Sequence, residues 1–131
     1  MPHLGLVTMV VPDYDEAMAF YVDAVGFRLL EDTPLGDGKR WVVVAPQGAR
    51  ETGILLAEAA GDAERARIGD QTGGRVGWFL HTDDFERDAE RMRKAGVVFK
   101  EEPRHEPYGT VAVFQDPYGN LWDLIQPKKD A

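Results

Sequence analysis

The chain has 131 residues, a formal net charge of −8, 44% apolar residues and no cysteine. This length and apolar fraction indicate one globular domain rather than a disordered chain. The acidic balance argues against a nucleic-acid partner, because phosphate-backbone binding needs a basic surface, whereas a cationic small molecule would be attracted. The lack of cysteine excludes disulfides, cysteine-bound zinc, iron–sulfur clusters and thiol catalysis, and it is compatible with the cytoplasm, which we expect as the location.

The chain starts with "MPHLGLVTMVVPDYDE", which has a short apolar run and no basic region ahead of it. We interpret this start as a first strand rather than a signal peptide. No segment approaches the roughly 18 continuous apolar residues that are needed to span a bilayer, so we expect no membrane partner.

Two stretches that begin at Pro12 and Thr82 repeat the same local pattern. They carry matching helix signals, namely aspartates suited to N-caps, glutamates three residues on and glycines at the helix ends, in the pairs Asp13 and Asp83, Glu16 and Glu86, and Gly26 and Gly96. An aspartate followed three residues later by a glutamate predicts a capping box, and the glycines predict helix C-termini. The chain therefore contains two modules, each with one amphipathic helix.

Apolar spacing predicts which helix residues are buried. In the first helix they are Tyr14, Met18, Tyr21, Val22 and Val25, and in the second they are Phe85, Ala89, Met92 and Ala95. A strand precedes each helix and three follow it, so each half is predicted as β-α-β-β-β. We expect one domain over residues 1–131, with modules at about 1–59 and 75–127. The polar, glycine-rich segment at about 60–74 is predicted to link them.

The stretch "QDPYGNLWDLIQP", residues 115–127, is the most clearly specified local structure. Asp116, Pro117 and Gly119 predict a type I turn with a bulge, followed at once by a strand. Strand alternation then places Asp123 on one face with Leu121 and Ile125. Both faces of this strand are apolar, so we expect Asp123 to be at least half buried. Its carboxylate must be paired, hydrogen-bonded or metal-bound, unless it lies at a cavity mouth.

These paired modules, the helix end "AFYVDAVGF" and the motif "FQDPYGNLWDLI" resemble the vicinal oxygen chelate superfamily, which contains glyoxalase I, the bleomycin-resistance proteins and the extradiol dioxygenases. The resemblance covers almost the whole chain. It implies an α+β fold in which two βαβββ modules form a curved mixed sheet around a cavity, and it implies a homodimer. It leaves open whether the modules pair within one chain or by swapping across a dimer.

The resemblance also implies where a metal would bind, because the family's metalloenzymes draw ligands from the first and last strand of each module. Those positions fall at Leu6, near Leu56 or Glu58, at Gly77 and at Asp123. Leu6 and Gly77 cannot bind a metal, whereas a catalytic site normally needs about three protein ligands. We therefore expect no cofactor. A divalent metal held by the atypical set Glu58, His81 and Asp123 is the alternative.

Seven side chains are predicted to line a small-molecule pocket: Thr8, Trp41, Glu58, Phe79, His81, Tyr108 and Asp123. His81 shares the strand face of Phe79, where it is either a general base, a displaced metal ligand or a strand-end histidine bonded to the backbone. Tyr108 lies in the polar stretch "EEPRHEPYG", which is either a mobile substrate loop, as in the family, or a solvated loop. Trp41 is equally compatible with core or dimer packing.

Three functions are compatible with these patterns. The first is a metal-independent small-molecule binder similar to the bleomycin-resistance proteins. The second is a metal-dependent lyase, isomerase or dioxygenase of the glyoxalase type with an atypical site, so the sequence alone leaves open whether the protein is an enzyme. The third is a scaffold whose cavity is filled by side chains. Nucleophilic hydrolysis by serine or cysteine is excluded, because the chain contains neither residue.

Overall fold

The computed structural model describes residues 1–129 and divides into two compact units, one ending at Gln71 and the other beginning at Thr72. The division falls inside the segment 60–74 that the sequence predicts as a linker. Each unit combines a helix with a mixed sheet, which confirms the predicted α+β class. Within residues 1–129, no helix has the length and apolar character to cross a membrane.

The first unit has the predicted strand–helix–strand–strand–strand order. Its elements are β1 (Leu6–Val11), α1 (Tyr14–Met18, continuing as a π-helix over Ala19–Ala24), β2 (Arg28–Gly36), β3 (Lys39–Ala45), β4 (Gly53–Glu58) and the short α2 (Gly61–Arg65). The sheet order is β1-β4-β3-β2, with β1 parallel to β4 and the other pairs antiparallel. Helix α1 packs against β3 and β4, so it covers one face of this sheet.

The second unit contains one strand more than the sequence predicts. Its elements are β5 (Val76–His81), α3 (Phe85–Lys94), β6 (Val98–Phe99), β7 (Arg104–Glu106), β8 (Gly109–Gln115) and β9 (Leu121–Pro127). Strand β5 runs parallel to β9, and β8 pairs antiparallel with β9, β6 and β7. The stretch around His105, which was expected to be a loop, is thus partly a short strand of this sheet, because its backbone pairs with β8 opposite Thr110.

The helix caps differ between the two units. Asp13 is the N-cap of α1, as predicted, and its carboxylate accepts the Glu16 backbone N–H at 2.8 Å. The predicted capping box of Asp83 and Glu86 is wrong, because the N-cap of α3 is Asp84, which accepts the Arg87 backbone N–H at 3.1 Å. The Asp83 carboxylate instead pairs with the Arg87 guanidinium at 2.8 Å.

The π-helical turn changes which residues of the first helix are buried. Val25 N–H donates to the Phe20 carbonyl five residues earlier, at 2.9 Å, and this wider turn rotates the face that meets the sheet. The buried residues are Tyr14, Ala17, Tyr21 and Val25, whereas Met18 and Val22, predicted to be buried, are half-exposed. In α3 the predicted residues Phe85, Ala89 and Met92 are buried, and Ala95 is exposed because it caps the helix.

The turn between β8 and β9 is held by one buried carboxylate. Asp116 is 2% exposed, and its Oδ1 accepts the backbone N–H groups of Tyr118 at 2.9 Å and Asn120 at 2.8 Å. Its Oδ2 accepts the Asn120 side-chain amide at 2.7 Å. Gly119 has φ 104°, which favours glycine, so the turn forms where the sequence predicts it. This turn sets where β9 begins, and therefore which of its residues share a face.

We expect Asp116→Ala to lower the free energy of unfolding by roughly 2–4 kcal/mol, because buried backbone and side-chain donors lose their acceptor. D116N is the matched control, since its remaining carbonyl oxygen can still accept the two backbone N–H groups, and it should lose clearly less. Urea unfolding of the two variants measures the difference. Equal losses for both variants would contradict the role assigned to these hydrogen bonds.

Candidate functional site

In the second unit, helix α3 packs on β9 and covers one face of the sheet. The residues of β9 on the covered face, Trp122 and Leu124, are 3% and 0% exposed. Asp123 alternates with them and therefore lies on the opposite face. The strand register places Phe79 of β5 and Val113 of β8 on either side of it. We call the face defined by Phe79, Val113 and Asp123 the open face of the second unit.

Asp123 is half-buried, and its Oδ1 is an orphaned acceptor. This oxygen has less than 1 Å² of accessible surface and no hydrogen-bond partner within residues 1–129. Burial raises the pKa of the carboxyl above its ordinary value, while the charge of Arg104 lowers it and that of Glu101 raises it. An acceptor that has lost its water without gaining a donor is unfavourable for folding. The hydrogen-bonding capacity of Asp123 is therefore only partly used within the described residues.

The nearby cation, Arg104, already has its counterions. Its Nε donates to both carboxylate oxygens of Glu101, at 3.0 and 3.1 Å, and its Nη1 donates to Glu106 at 3.4 Å. Glu101 also accepts the Val113 backbone N–H at 2.9 Å, which ties this ion pair to the strand beside Asp123. Two carboxylates thus balance one guanidinium, so this part of the site is not suited to holding an anionic ligand.

Glu101 and Arg104 were not among the residues selected from the sequence. Their stretch reads as a polar loop, and only the pairing of β7 with β8 places Arg104 opposite Val111. Val111 is in turn opposite Ile125 on the strand that carries Asp123. The signal available in the sequence was the charged cluster "KEEPRHE" shortly before the β8 pattern, but its register cannot be read without the strand pairing.

The open face carries an exposed aromatic ring, whereas the other aromatic residues of this sheet are packed. Phe79 is 59% exposed although it lies beside Asp123 in the middle of the unit's parallel strand pair. On the covered face the rings of Trp78 and Trp122 stack with centroids 5.5 Å apart, and Phe114 stacks on Trp122 at 5.7 Å. Trp78 therefore packs with the buried aromatic residues of this sheet.

The structure brings three of the predicted pocket residues onto one face. His81 is exposed and in register with Ile125, so it shares the open face with Phe79 and Asp123. Tyr108 belongs to the turn between β7 and β8 and is 53% exposed, with its carbonyl accepting the Lys128 N–H at 2.8 Å. The second unit therefore groups an acceptor, an imidazole and an exposed ring on a single sheet surface.

In the first unit, Thr8 and Trp41 share the sheet face that α1 leaves uncovered. Thr8 is opposite Leu55, and Trp41 alternates with the fully buried Val42 on the covered face. Glu58 is opposite Val11, which is 0% exposed, so Glu58 belongs to the helix-covered side of its strand. The structure thus places this predicted pocket residue on the other side of the sheet from Thr8.

The residue at the last-strand metal position of the first unit is also not one of the two expected from the sequence, Leu56 or Glu58. In the first unit Thr8 of β1 pairs with Leu55 of β4. The equivalent pair in the second unit is Phe79 of β5 and Asp123 of β9. Leu55 therefore occupies the position that corresponds to Asp123. The expected residue, Leu56, is 0% exposed and lies on the covered face, and β1 and β4 pair without the register shift that would select Glu58.

The residues at the four positions do not fit the family's metal site. Leu6, Leu55 and Gly77 offer no donor atom, which leaves Asp123 alone. Within either unit, the described residues include no group of three His, Asp or Glu side chains that could hold a metal ion.

The environment of Asp123 has a measurable consequence for stability. Because its pKa is raised in the folded state, the folded protein favours the protonated carboxyl, and this contribution is lost as the pH rises through the folded-state pKa. We expect Asp123→Asn to stabilise the protein at pH 7, with the gain shrinking as the pH falls through the raised folded-state pKa and levelling off below about 4, where the carboxyl is protonated in both states. Thermal unfolding from pH 3 to pH 8 measures this. Destabilisation at pH 7 would contradict the unfavourable setting of the carboxylate.

Comparison with known proteins agrees with this fold. Residues 3–124 match the family model described as the Glyoxalase/Bleomycin resistance protein/Dioxygenase superfamily. An uncharacterised protein of Shewanella frigidimarina is 52% identical over 121 residues, covering 92% of this chain and 90% of the relative. The crystal structure of UcmS2 is similar with a TM-score of 0.83 and 33% identity, covering 95% of this chain and 98% of that one.

A second solved structure is that of TnmS3, described as an antibiotic binding protein from Streptomyces sp. CB03234. It is 36% identical with a TM-score of 0.78, and the similarity covers 98% of each chain. The family match spans nearly the whole chain and accords with the mixed-sheet units. The chain therefore belongs to the Glyoxalase/Bleomycin resistance protein/Dioxygenase superfamily.

Proposed function

We propose that this protein binds a small organic molecule on the open face of the second unit, without the metal site of the family's enzymes and in the manner of the bleomycin-resistance proteins. The observation that carries the proposal is the buried, unpartnered Oδ1 of Asp123. Because the residue as a whole is only half-buried, a ligand hydroxyl or amine that reaches this oxygen through a local side-chain rearrangement would supply the missing donor and recover the free energy that the empty acceptor costs.

The surroundings of Asp123 support a ligand rather than a purely structural role. A polar group that weakens the fold is typical of a functional site, because a structural role would be met by a paired or an apolar residue. Phe79 beside it exposes more than half of its surface, 59%, and thus offers an apolar contact next to the acceptor. Small-molecule sites commonly combine apolar walls with a few convergent polar groups.

The charges of the protein favour some classes of ligand over others. The chain carries a formal net charge of −8, and Arg104 is already paired with Glu101 and Glu106. An anionic ligand would meet repulsion from Asp123 without a free cation to offset it. We therefore propose a neutral or cationic ligand with a hydrogen-bond donor and an apolar body. The description of TnmS3 as an antibiotic binding protein supports an antibiotic-like molecule as the first class to test.

The glyoxalase-type metalloenzyme is less well supported. Lewis-acid chemistry would need several donors around the metal, whereas the first-strand positions are Leu6 and Gly77 and the last strand of the first unit supplies Leu55. Glu58, which was considered as a substitute ligand, lies on the covered side of its sheet.

We expect Asp123→Asn to weaken ligand binding by roughly 10- to 100-fold, which corresponds to losing a charge-assisted hydrogen bond. Calorimetry against a panel of cationic, neutral and anionic antibiotics measures the dissociation constants. E102Q is the matched control, because Glu102 is exposed and its substitution removes the same charge outside the open face. Ligands that bind the wild type and the D123N variant equally would place the site elsewhere, and a panel without any binder would contradict the proposal.

We also propose that the protein is a cytoplasmic homodimer. Strand β2 is an edge strand that is exposed along its whole length, and it presents Leu29, Leu30 and Leu35 at 42%, 46% and 59% exposure. Exposed apolar side chains on a sheet edge favour association with another chain. A second copy is the partner that we propose for this edge.

We expect the wild type to elute as a dimer in size-exclusion chromatography with light scattering, and the L30E/L35E variant to elute as a monomer, because like charges would face each other across the edge. The control E31Q changes an exposed side chain of the same strand and should leave the dimer intact. A wild-type monomer at micromolar concentration would contradict the homodimer.

A further inference from the structure

Gly77 on β5 lies under the side chain of Thr72. A Cβ atom at Gly77 would lie 2.7 Å from the Cγ2 methyl of Thr72, which is closer than real Cβ contacts. The Thr72 hydroxyl donates to the Arg75 carbonyl at 2.6 Å, so the rotamer that holds the methyl over the glycine is fixed by a hydrogen bond. The space that a side chain at position 77 would need is therefore already occupied.

Backbone strain does not explain the glycine. The φ angle of Gly77 is outside the positive range that favours glycine, in contrast to that of Gly73 or Gly74 in the preceding loop. Between Val76 and Trp78 the pairing with β9 shifts by one residue, so Gly77 is the extra residue of a bulge. Position 77 is a glycine because Thr72 approaches it closely, and the Cβ atom of any other residue there would clash with Thr72.

The matching position in the first unit is Leu6, whose own side chain packs on a glycine. Leu6 is opposite Gly53, and a Cβ atom there would lie 3.3 Å from Leu6 Cδ2 and 3.0 Å from Val43 Cγ1. The Leu6 side chain thus lies across the bare backbone of Gly53 and makes an apolar contact where the family's metalloenzymes carry a ligand.

We infer that position 77, a first-strand metal position of this family, is closed by packing in this chain, because Thr72 lies over Gly77. The absence of a ligand at position 77 is then a property of the local fold, and a histidine introduced there would clash with Thr72. Thr72 lies in the segment immediately before β5, and its side chain fills the space that a side chain at position 77 would need. The inference does not depend on which ligand the protein binds.

The contact between Thr72 and Gly77 is tested by measuring how the stability effects of substitutions at positions 72 and 77 depend on each other. We expect G77A to lower Tm by roughly 3–6 °C, although glycine-to-alanine changes without a clash are neutral or stabilising. In a T72A background the same change should cost less than half as much, because the Cγ2 methyl is gone. G5A is the control, since nothing lies within 4 Å of a Cβ atom at Gly5. An equal loss in both backgrounds, or no loss from G77A, would overturn the inference.

Metal uptake provides the second readout. We expect the L6H/G77H variant, even with Asp123 intact, to take up no stoichiometric Ni²⁺, Zn²⁺ or Mn²⁺ in calorimetry and elemental analysis. Uptake of one ion per chain while Thr72 is in place would show that position 77 remains usable and would overturn the inference. Neither measurement uses an organic ligand. A result that overturns this inference therefore does not contradict the proposed ligand binding. Conversely, a lack of ligand binding does not contradict the packing of Thr72 on Gly77.

Discussion

Parallel pairing between the first and last strand of each unit is the constraint on which the rest of the structure depends. It joins β1 to β4 and β5 to β9, and it requires the chain to cross over each sheet, which the helix does. In each unit the helix packs on one face of the sheet only. Because parallel partners share a face in register, the pairing alone brings Phe79 next to Asp123 and Thr8 next to Leu55.

The two units use this shared architecture differently. The uncovered face of the first unit is largely apolar along β1 and β4, where Leu6 lies over Gly53 and Thr8 lies opposite Leu55. The same positions in the second unit combine the exposed ring of Phe79 with the carboxylate of Asp123. The repeated fold thus carries a leucine at this position in the first unit and a carboxylate in the second.

Two aspartates near the end of the chain differ in how the cost of their burial is compensated. Asp116 is 2% exposed, and both of its oxygens accept hydrogen bonds that shape a turn. Asp123 is half-buried and leaves Oδ1 without a donor, so its carboxylate opposes folding. Burial is tolerable for Asp116 because its oxygens accept hydrogen bonds within the chain, whereas Asp123 Oδ1 has no donor among the described residues.

The sequence by itself determined the fold class, the two-unit repeat, the β8–β9 turn and the side of β9 on which Asp123 lies. These features depend on short-range signals, namely strand alternation, an N-cap such as Asp13 and the positive φ of Gly119. Two features were not predicted from the sequence, namely Asp84 as the second N-cap and the rotated buried face of the first helix. Neither a one-residue shift of a cap nor a π-helical turn produces a clear pattern in the sequence. Only the tertiary structure decided that Glu58 lies on the covered face, that Arg104 is paired by Glu101 and that Thr72 covers Gly77. Glu58 is placed by strand register. The Arg104–Glu101 and Thr72–Gly77 contacts join residues three and five positions apart through the conformation of the intervening loop, and local periodicity does not encode them either.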